Sequence, residues 1–327
     1  MKSVWKKIGR IAGIAIASVL ALVLLVYAGL WVARLIVYND YVCNKETVCK
    51  IPALGDGFVP QGLTDIDGET YILTGYMGET HELAIYLAND KSEKELIPVD
   101  KDGKRISGHG GGAARAGDLV YIANEAGEVL IFRLSDLLST PNGGKVKPAS
   151  SFKSLTNASF CFADGNHLYV GEFYRPVDYE TKPEHAYVTP AGDSHHAWVC
   201  RYPLDDKGAI ITTTPDQVIS VTDQVQGFAV KGDVYMLSRS WGVSSSKLDC
   251  YMGLTDSGTK VTIGTVEVPL FYLDSTNHQK TVNMPAFSED LTVVGDRVVI
   301  SFESACNKYV IGKFFFANKL VSYPIPS

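Results

Sequence analysis

An all-β body behind one membrane-spanning helix is what this sequence predicts. Three observations predict it: a charge-free apolar run near the N-terminus, a hairpin signature that recurs five times, and no heptad or long amphipathic pattern beyond the apolar run.

The apolar run comes first. Ile11 to Ala33, IAGIAIASVLALVLLVYAGLWVA, carries no charge. A spanning helix needs about 20 apolar residues, whereas the core of a cleaved signal has about 7 to 15. Tyr27 and Trp31 lie near its far end, where amphipathic rings favour the membrane interface. Lys2, Lys6, Lys7 and Arg10 are the only charges in the first ten residues. Such cations stay on the cytoplasmic side. The expected order is a cytoplasmic basic segment (1–10), a transmembrane helix (11–33), a juxtamembrane linker (34–50) and an extracytoplasmic domain (51–327) in a single-pass cell-membrane protein.

Charge and cysteine usage narrow the classes. The chain has 327 residues and a formal net charge of −6; without the four leading cations the rest carries −10. An acidic body argues against a nucleic-acid groove. Six cysteines follow the apolar run with no CxxC among them, which argues against a zinc ribbon or a thioredoxin motif. Cys43 and Cys49 bracket CNKETVC and could close a small loop as a disulfide in an oxidising exterior. Cys161 and Cys200 read as buried thiols.

The hairpins give the fold. QGLTDIDGETYILTGY from Gln61, GGAARAGDLVYIANE from Gly111, SFCFADGNHLYVGEF from Ser159, QGFAVKGDVYMLSRS from Gln226 and EDLTVVGDRVVISFES from Glu289 share one pattern. Each has a short strand, a glycine turn, then a second strand rich in Val, Ile, Leu and Tyr. The turn glycines are Gly68, Gly117, Gly165, Gly232 and Gly295, spaced 49, 48, 67 and 63 residues apart. Hairpin repeats of about 40 to 50 residues point to a β-propeller with four strands per blade. The second unit supplies them as GAARA, LVYIAN, EVLIFRL and VKPASSF. Five blades are visible. The long segments leave room for a degenerate sixth, and TVCKIPAL near residue 50 could instead close the ring with the C-terminal strands. A β-sandwich with irregular strands is the competing architecture. The QG and GG pairs begin innermost strands, where backbones crowd at the axis and small residues fit.

The same geometry places a site. The start of the innermost strand and the end of the second emerge on one face of every blade. Those places hold Gln61, His109, Asn124, Glu125, Glu172, Gln226, Arg239, Trp241 and Glu303, with Ser159, Glu289 and Asp290 beside them. Polar groups from independent blades around a channel mouth define a ligand-binding rim. Carboxylates and amide oxygens there suit a hard cation such as Ca2+. His109 is a candidate base, and the glycines after it read most simply as the tight start of a strand. In the long insertion, His185, His195 and His196 with Glu184 and Asp193 suit a transition metal. Tyr174, Tyr179, Tyr187 and Trp198 there suit a partner-binding lip.

The blades QGLTDIDGETYILTGY, QGFAVKGDVYMLSRSWG and EDLTVVGDRVVISFES resemble those of bacterial extracytoplasmic propellers. They are loosely similar to the strictosidine-synthase and gluconolactonase-like superfamily, whose members are six-bladed. In its lactonase branch the resemblance implies Ca2+ or a similar metal in the channel, with Glu172, Asn124 and Glu303 as its loose counterparts here. The expected function is therefore binding of a small ligand, glycan or protein partner at the rim. A metal-dependent, lactonase-like hydrolase at the same rim and a structural envelope component are the alternatives.

Overall fold

The computed structural model describes residues 2–315 and 317–325. Met1, Phe316, Pro326 and Ser327, and so the outer ends of the 1–10 and 51–327 segments, lie outside the described residues. The chain divides into two units, residues 1–43 and 44–327.

The first unit is one long helix, Lys2–Val37, followed by a short one, Asn39–Asn44, that runs up to the boundary. Val4–Val37 is long and apolar enough to cross a membrane. Its apolar side chains lie open all round rather than along one stripe, as lipid-facing residues do.

The second unit is a five-bladed β-propeller. Blade 1 is Phe58–Asp65, Tyr71–Met77, Leu83–Ala88 and Glu93–Pro98. Blade 2 is Gly112–Ala116, Leu119–Ala123, Glu128–Arg133 and Ser150–Lys153. Blade 3 is Phe160–Ala163, His167–Gly171, Ala197–Pro203 and Gln217–Val221. Blade 4 is Val225–Lys231, Val234–Arg239, Ser246–Met252 and His278–Met284. Blade 5 is Ser288–Val294, Arg297–Phe302, Lys319–Pro324 and, outermost, Glu46–Lys50.

Glu46–Lys50 therefore closes the ring, pairing antiparallel with Lys319–Pro324 through Glu46 opposite Ser322. That places a stretch read as juxtamembrane linker inside the propeller. All five hairpin glycines, Gly68, Gly117, Gly165, Gly232 and Gly295, have positive φ, which the tight turn requires.

Among the described residues no sixth blade forms. The residues that left room for one form the hairpin Thr255–Ile263 and Val266–Tyr272, inserted between the last two strands of blade 4. It adds to the outer edge of blade 3, with Val218 opposite Leu270 in parallel. The resemblance to six-bladed propellers thus stops at the blade. A smaller edge strand, Gly144–Val146, likewise extends blade 1 from the blade 2 connection.

The core lies between blades. Leu83–Ala88 is buried at all six positions because a neighbouring sheet covers each face. This explains why middle strands such as LVYIA read as continuous apolar runs rather than alternating ones. Ile72, Ile85, Val120, Ile122 and Phe132 pack blade 1 on blade 2. Tyr121, Cys161, Val170 and Tyr202 pack blade 2 on blade 3.

Crowding at the axis sets the small residues. A Cβ on Gly62 would lie 2.6 Å from the Gly112 carbonyl carbon of the next blade. One on Gly112 would lie 2.3 Å from the Cys161 nitrogen, and one on Gly227 2.7 Å from the Asp290 Cα. Inner strands meet here backbone to backbone. Asp290 is fully buried among them. Its Oδ2 accepts from the backbone N–H of Leu63 at 2.9 Å and of Ala113 at 3.1 Å, in two other blades. Burial holds this carboxyl well above the usual range.

Removing that acceptor strands two buried N–H groups, at about 1–3 kcal/mol each. Asp290→Ala is therefore expected to lower unfolding stability by about 2–6 kcal/mol on that figure. Asp290→Asn keeps an acceptor oxygen and is expected to lose much less. Urea unfolding of the detergent-solubilised chain measures both, and equal losses in the two variants would remove Asp290 from its bridging role.

Candidate functional site

The rim is made by the loops that enter innermost strands and those that leave second strands. Most of the sequence-predicted residues there form two groups with different chemistry, with Asn124 and Glu172 apart from both.

The first group joins blades 5, 1 and 2. Gln61 sits at a bulge of its strand, between Pro60 and Gly62. Its Nε2 donates to Glu303 Oε2 at 2.9 Å. Glu303 shares a hydrogen bond with Glu289, and both carboxyls are buried. Glu303 also hydrogen-bonds Tyr309, which bonds Tyr76 in turn. The Lys308 ammonium donates to the Tyr76 hydroxyl and lies 4.7 Å over that ring and 5.4 Å over Tyr309.

Tyr76 carries the group across to blade 2. Its ring centroid lies 5.0 Å from that of His81 and 4.9 Å from that of His109. The two imidazoles meet edge to face at 4.6 Å. Both present a nitrogen to one oxygen, Glu125 Oε1: His81 Nε2 at 2.6 Å and His109 Nδ1 at 2.5 Å.

Electrostatics here follow burial. Desolvation raises the Glu303 carboxyl to about 8, against the Lys308 charge and its hydrogen bonds to Glu289, Gln61 and Tyr309. Burial and the neighbouring Glu303 drive Glu289 well above the usual range. Near neutral pH the pair holds protons. Burial lowers His109, with the Glu125 carboxylate opposing. Burial lifts Glu125, but hydrogen bonds and charge from His81 and His109 more than reverse this and leave it below the usual range.

The GHGGG stretch turns out to position a side chain as well as start a strand. Gly108 and Gly110, on either side of His109, have φ of 141° and 55°. A Cβ on Gly108 would lie 1.9 Å from Asn124 Oδ1, and one on Gly111 2.2 Å from the Ser159 carbonyl. Only a near-bare backbone threads this gap, and it delivers His109 onto Glu125.

Asn124 itself is buried, with Nδ2 donating to the Ser107 carbonyl at 3.3 Å. Glu172 is buried in blade 3. It accepts from Trp198 N–H at 3.1 Å and Asn157 N–H at 3.3 Å, and meets His185 Nδ1 at 2.6 Å. Glu172 and Glu303 are spent on local partners in different blades, while Asn124 Oδ1 is buried with no hydrogen-bond partner among the described residues. With both carboxyls so engaged, the Ca2+ set implied by the resemblance does not fit.

The second group spans blades 3 and 4. Trp241 lies under the Arg175 guanidinium at 4.1 Å and against Phe173 and Tyr179. Arg239 pairs with buried Asp249 and reaches Thr222. Gln226 is half-buried in its inner strand. The loop histidines do not converge. His185 stacks on Trp198 at 3.8 Å, His195 meets Ser220, and His196 pairs with Asp223 against Tyr174. A cleft of about 340 Å³ lies between this insertion and the outer strands of blade 4, lined by His195, Tyr251, Asp274 and His278.

Cys43 and Cys49 are open thiols, one exposed and one buried in the closing strand.

Sequence reasoning missed His81, Tyr76 and Lys308. His81 sits in a loop outside the hairpin repeat, at a φ of 57° that no motif announces.

No protein-family model matches the chain, and no curated protein does. Among solved structures it is similar to glycoside hydrolase family 43 arabinoxylan arabinofuranohydrolase from Bacillus subtilis, at 11% identity over 82% of this chain and 63% of that one, TM-score 0.41. It is also similar to glutaminyl cyclase from Myxococcus xanthus, at 10% identity over 86% and 97%, TM-score 0.39. BamB from Moraxella catarrhalis is similar at 10% identity over 81% and 84%, TM-score 0.34. At such values these likenesses carry no argument about function. The fold itself defines the class: a five-bladed propeller with a mixed polar and aromatic rim, and, among the described residues, one apolar helix long enough to cross a membrane.

The carboxyl pair gives a pH test. The folded chain keeps protons on Glu303 and Glu289 that the unfolded chain releases near 4.5. Their contribution is complete below that value and is lost as pH rises towards and through about 8. Unfolding stability is expected to fall over this window in the wild type and to be flatter in Glu303→Gln. Identical pH profiles would show that the pair is ionised.

Proposed function

We propose that the chain is a single-pass membrane protein whose propeller lies outside the cytoplasm and binds a small polyhydroxylated ligand, such as a glycan end, where blades 5, 1 and 2 meet. The observation that carries this is a chain of hydrogen bonds from Gln61 through Glu303, Tyr309 and Tyr76 to Lys308, joined by ring contacts of Tyr76 to the hydrogen-bonded cluster His81, His109 and Glu125. Protonated carboxyls, an amide, an ammonium and aromatic edges suit hydroxyl groups, each of which donates and accepts. Lys2, Lys6, Lys7 and Arg10 ahead of the apolar helix support the orientation.

A second reading, docking of a protein partner, rests on the other group. Val177 is 88% exposed, Val188 70% and Tyr179 49%, all on the insertion, with Trp241 beside Tyr179.

A panel of neutral and acidic saccharides, screened by thermal shift on the solubilised chain, tests the first reading. A ligand at 100 times its Kd stabilises by about 2.7 kcal/mol. At least one saccharide class is expected to raise Tm in the wild type and not in Gln61→Ala/Lys308→Ala. No shift anywhere, or an equal shift in the variant, would reject the rim as its site. For orientation, a periplasm-dependent phosphatase fused to the C-terminus is expected to be active, and a cytoplasm-dependent fluorescent fusion dark; the reverse pattern would invert the topology.

A further inference from the structure

We infer that His81, His109 and Glu125 form a binding site for one divalent transition-metal ion of the Zn2+ type, with coordination positions left open on the rim. It shares these three residues with the ligand reading above but rests on their geometry alone.

Three donors come from three separate loops. His81 Nε2, His109 Nδ1 and Glu125 Oε1 all lie within 4.8 Å of one another. Among the described residues this is the one such group of three histidine, cysteine or carboxylate side chains. Ligand bonds to Zn2+ run to about 2.0–2.2 Å, so donors round an ion stand roughly 3 Å apart. The two nitrogens are already 2.6 and 2.5 Å from the shared oxygen. A sub-ångström opening about the soft terminal torsion of Glu125 seats an ion among them.

The loops are built to hold this arrangement. His81 itself has φ of 57°, and Ala126, next to Glu125, has φ of 53°. Both are conformations an L-residue avoids, and such outliers cluster at ligand sites. His109 lies between two glycines that no side chain could replace without collision. The loops brace one another. Gly108 N–H donates to the His81 carbonyl at 3.1 Å, and Thr74 Oγ1 donates to the Gly110 carbonyl at 2.8 Å. Tyr76 packs on both imidazoles and fixes their planes.

The donor set names the metal class. Two imidazoles and one carboxylate suit Zn2+, Fe2+, Co2+ or Ni2+, whereas Ca2+ takes oxygen ligands. Three protein donors without a fourth leave positions for water or substrate, the pattern of reactive rather than structural zinc. The three side chains are 42–45% exposed, so an ion and a further ligand reach the site from solvent.

The test uses the full chain in detergent, purified without a histidine tag, stripped with chelator and titrated with Co2+. One equivalent is expected to bind with visible d–d absorption, and Zn2+ to displace it. Affinity is expected to fall at least 100-fold in His81→Ala and in His109→Ala, and at least tenfold in Glu125→Gln, which keeps shape and loses charge. His167→Ala, on another face, is expected to bind as wild type. An unchanged unfolding midpoint certifies each variant, and Glu125→Gln decides if an alanine variant fails to fold. No saturable binding below millimolar Co2+, or binding that survives these substitutions, would overturn the site. Metal binding with no saccharide shift in the wild type would count against the ligand reading alone.

Discussion

The propeller depends on a carboxyl group that no solvent reaches. Asp290 belongs to blade 5 and accepts backbone hydrogen bonds from blades 1 and 2. Its Cα would lie 2.7 Å from a Cβ on Gly227 of blade 4. Two blades are thus tied to one side chain, and a third packs against its backbone. Sheets that meet only through apolar packing can slide, because dispersion and burial have no direction. Hydrogen bonds do have direction, and these set the angular register of the inner strands. The loops on the rim inherit that register, which is why groups from different blades meet within hydrogen-bond distance.

Much of the fold was legible because its cues are local. Tight hairpins need positive φ, so Gly68, Gly117, Gly165, Gly232 and Gly295 marked every blade. Ring closure by TVCKIPAL with the C-terminal strands was legible as one option beside a sixth blade. The blade count was harder. Residues 255–272 are strand-like and long enough for part of a blade, and only pairing tells an edge extension from a new sheet. Sequence periodicity reports that a segment is a strand, not whose edge it joins.

The site was half legible for a related reason. Gln61, His109, Glu125 and Glu303 occupy fixed places in the repeat, so connectivity alone put them on one face. Nothing local could divide that face. Glu172 looked equal to Glu303, yet His185 from the insertion that follows it folds back and occupies it. His81 belongs to a loop whose length and course differ from blade to blade, so no repeat position pointed to it. Its role rests on Gly108 N–H holding its carbonyl, a contact between segments that the sequence keeps apart.

The closing strand has a consequence for synthesis. Glu46–Lys50 is made before any blade, and its partner Lys319–Pro324 after nearly all of them. Pairings of such separation carry the largest loop-closure cost and form late. For most of its assembly the nascent ring is therefore an open arc with two unpaired edges. Edges of that kind recruit other strands. The interval before closure is the period in which this chain is most exposed to wrong partners, and a second copy of itself offers the same two edges.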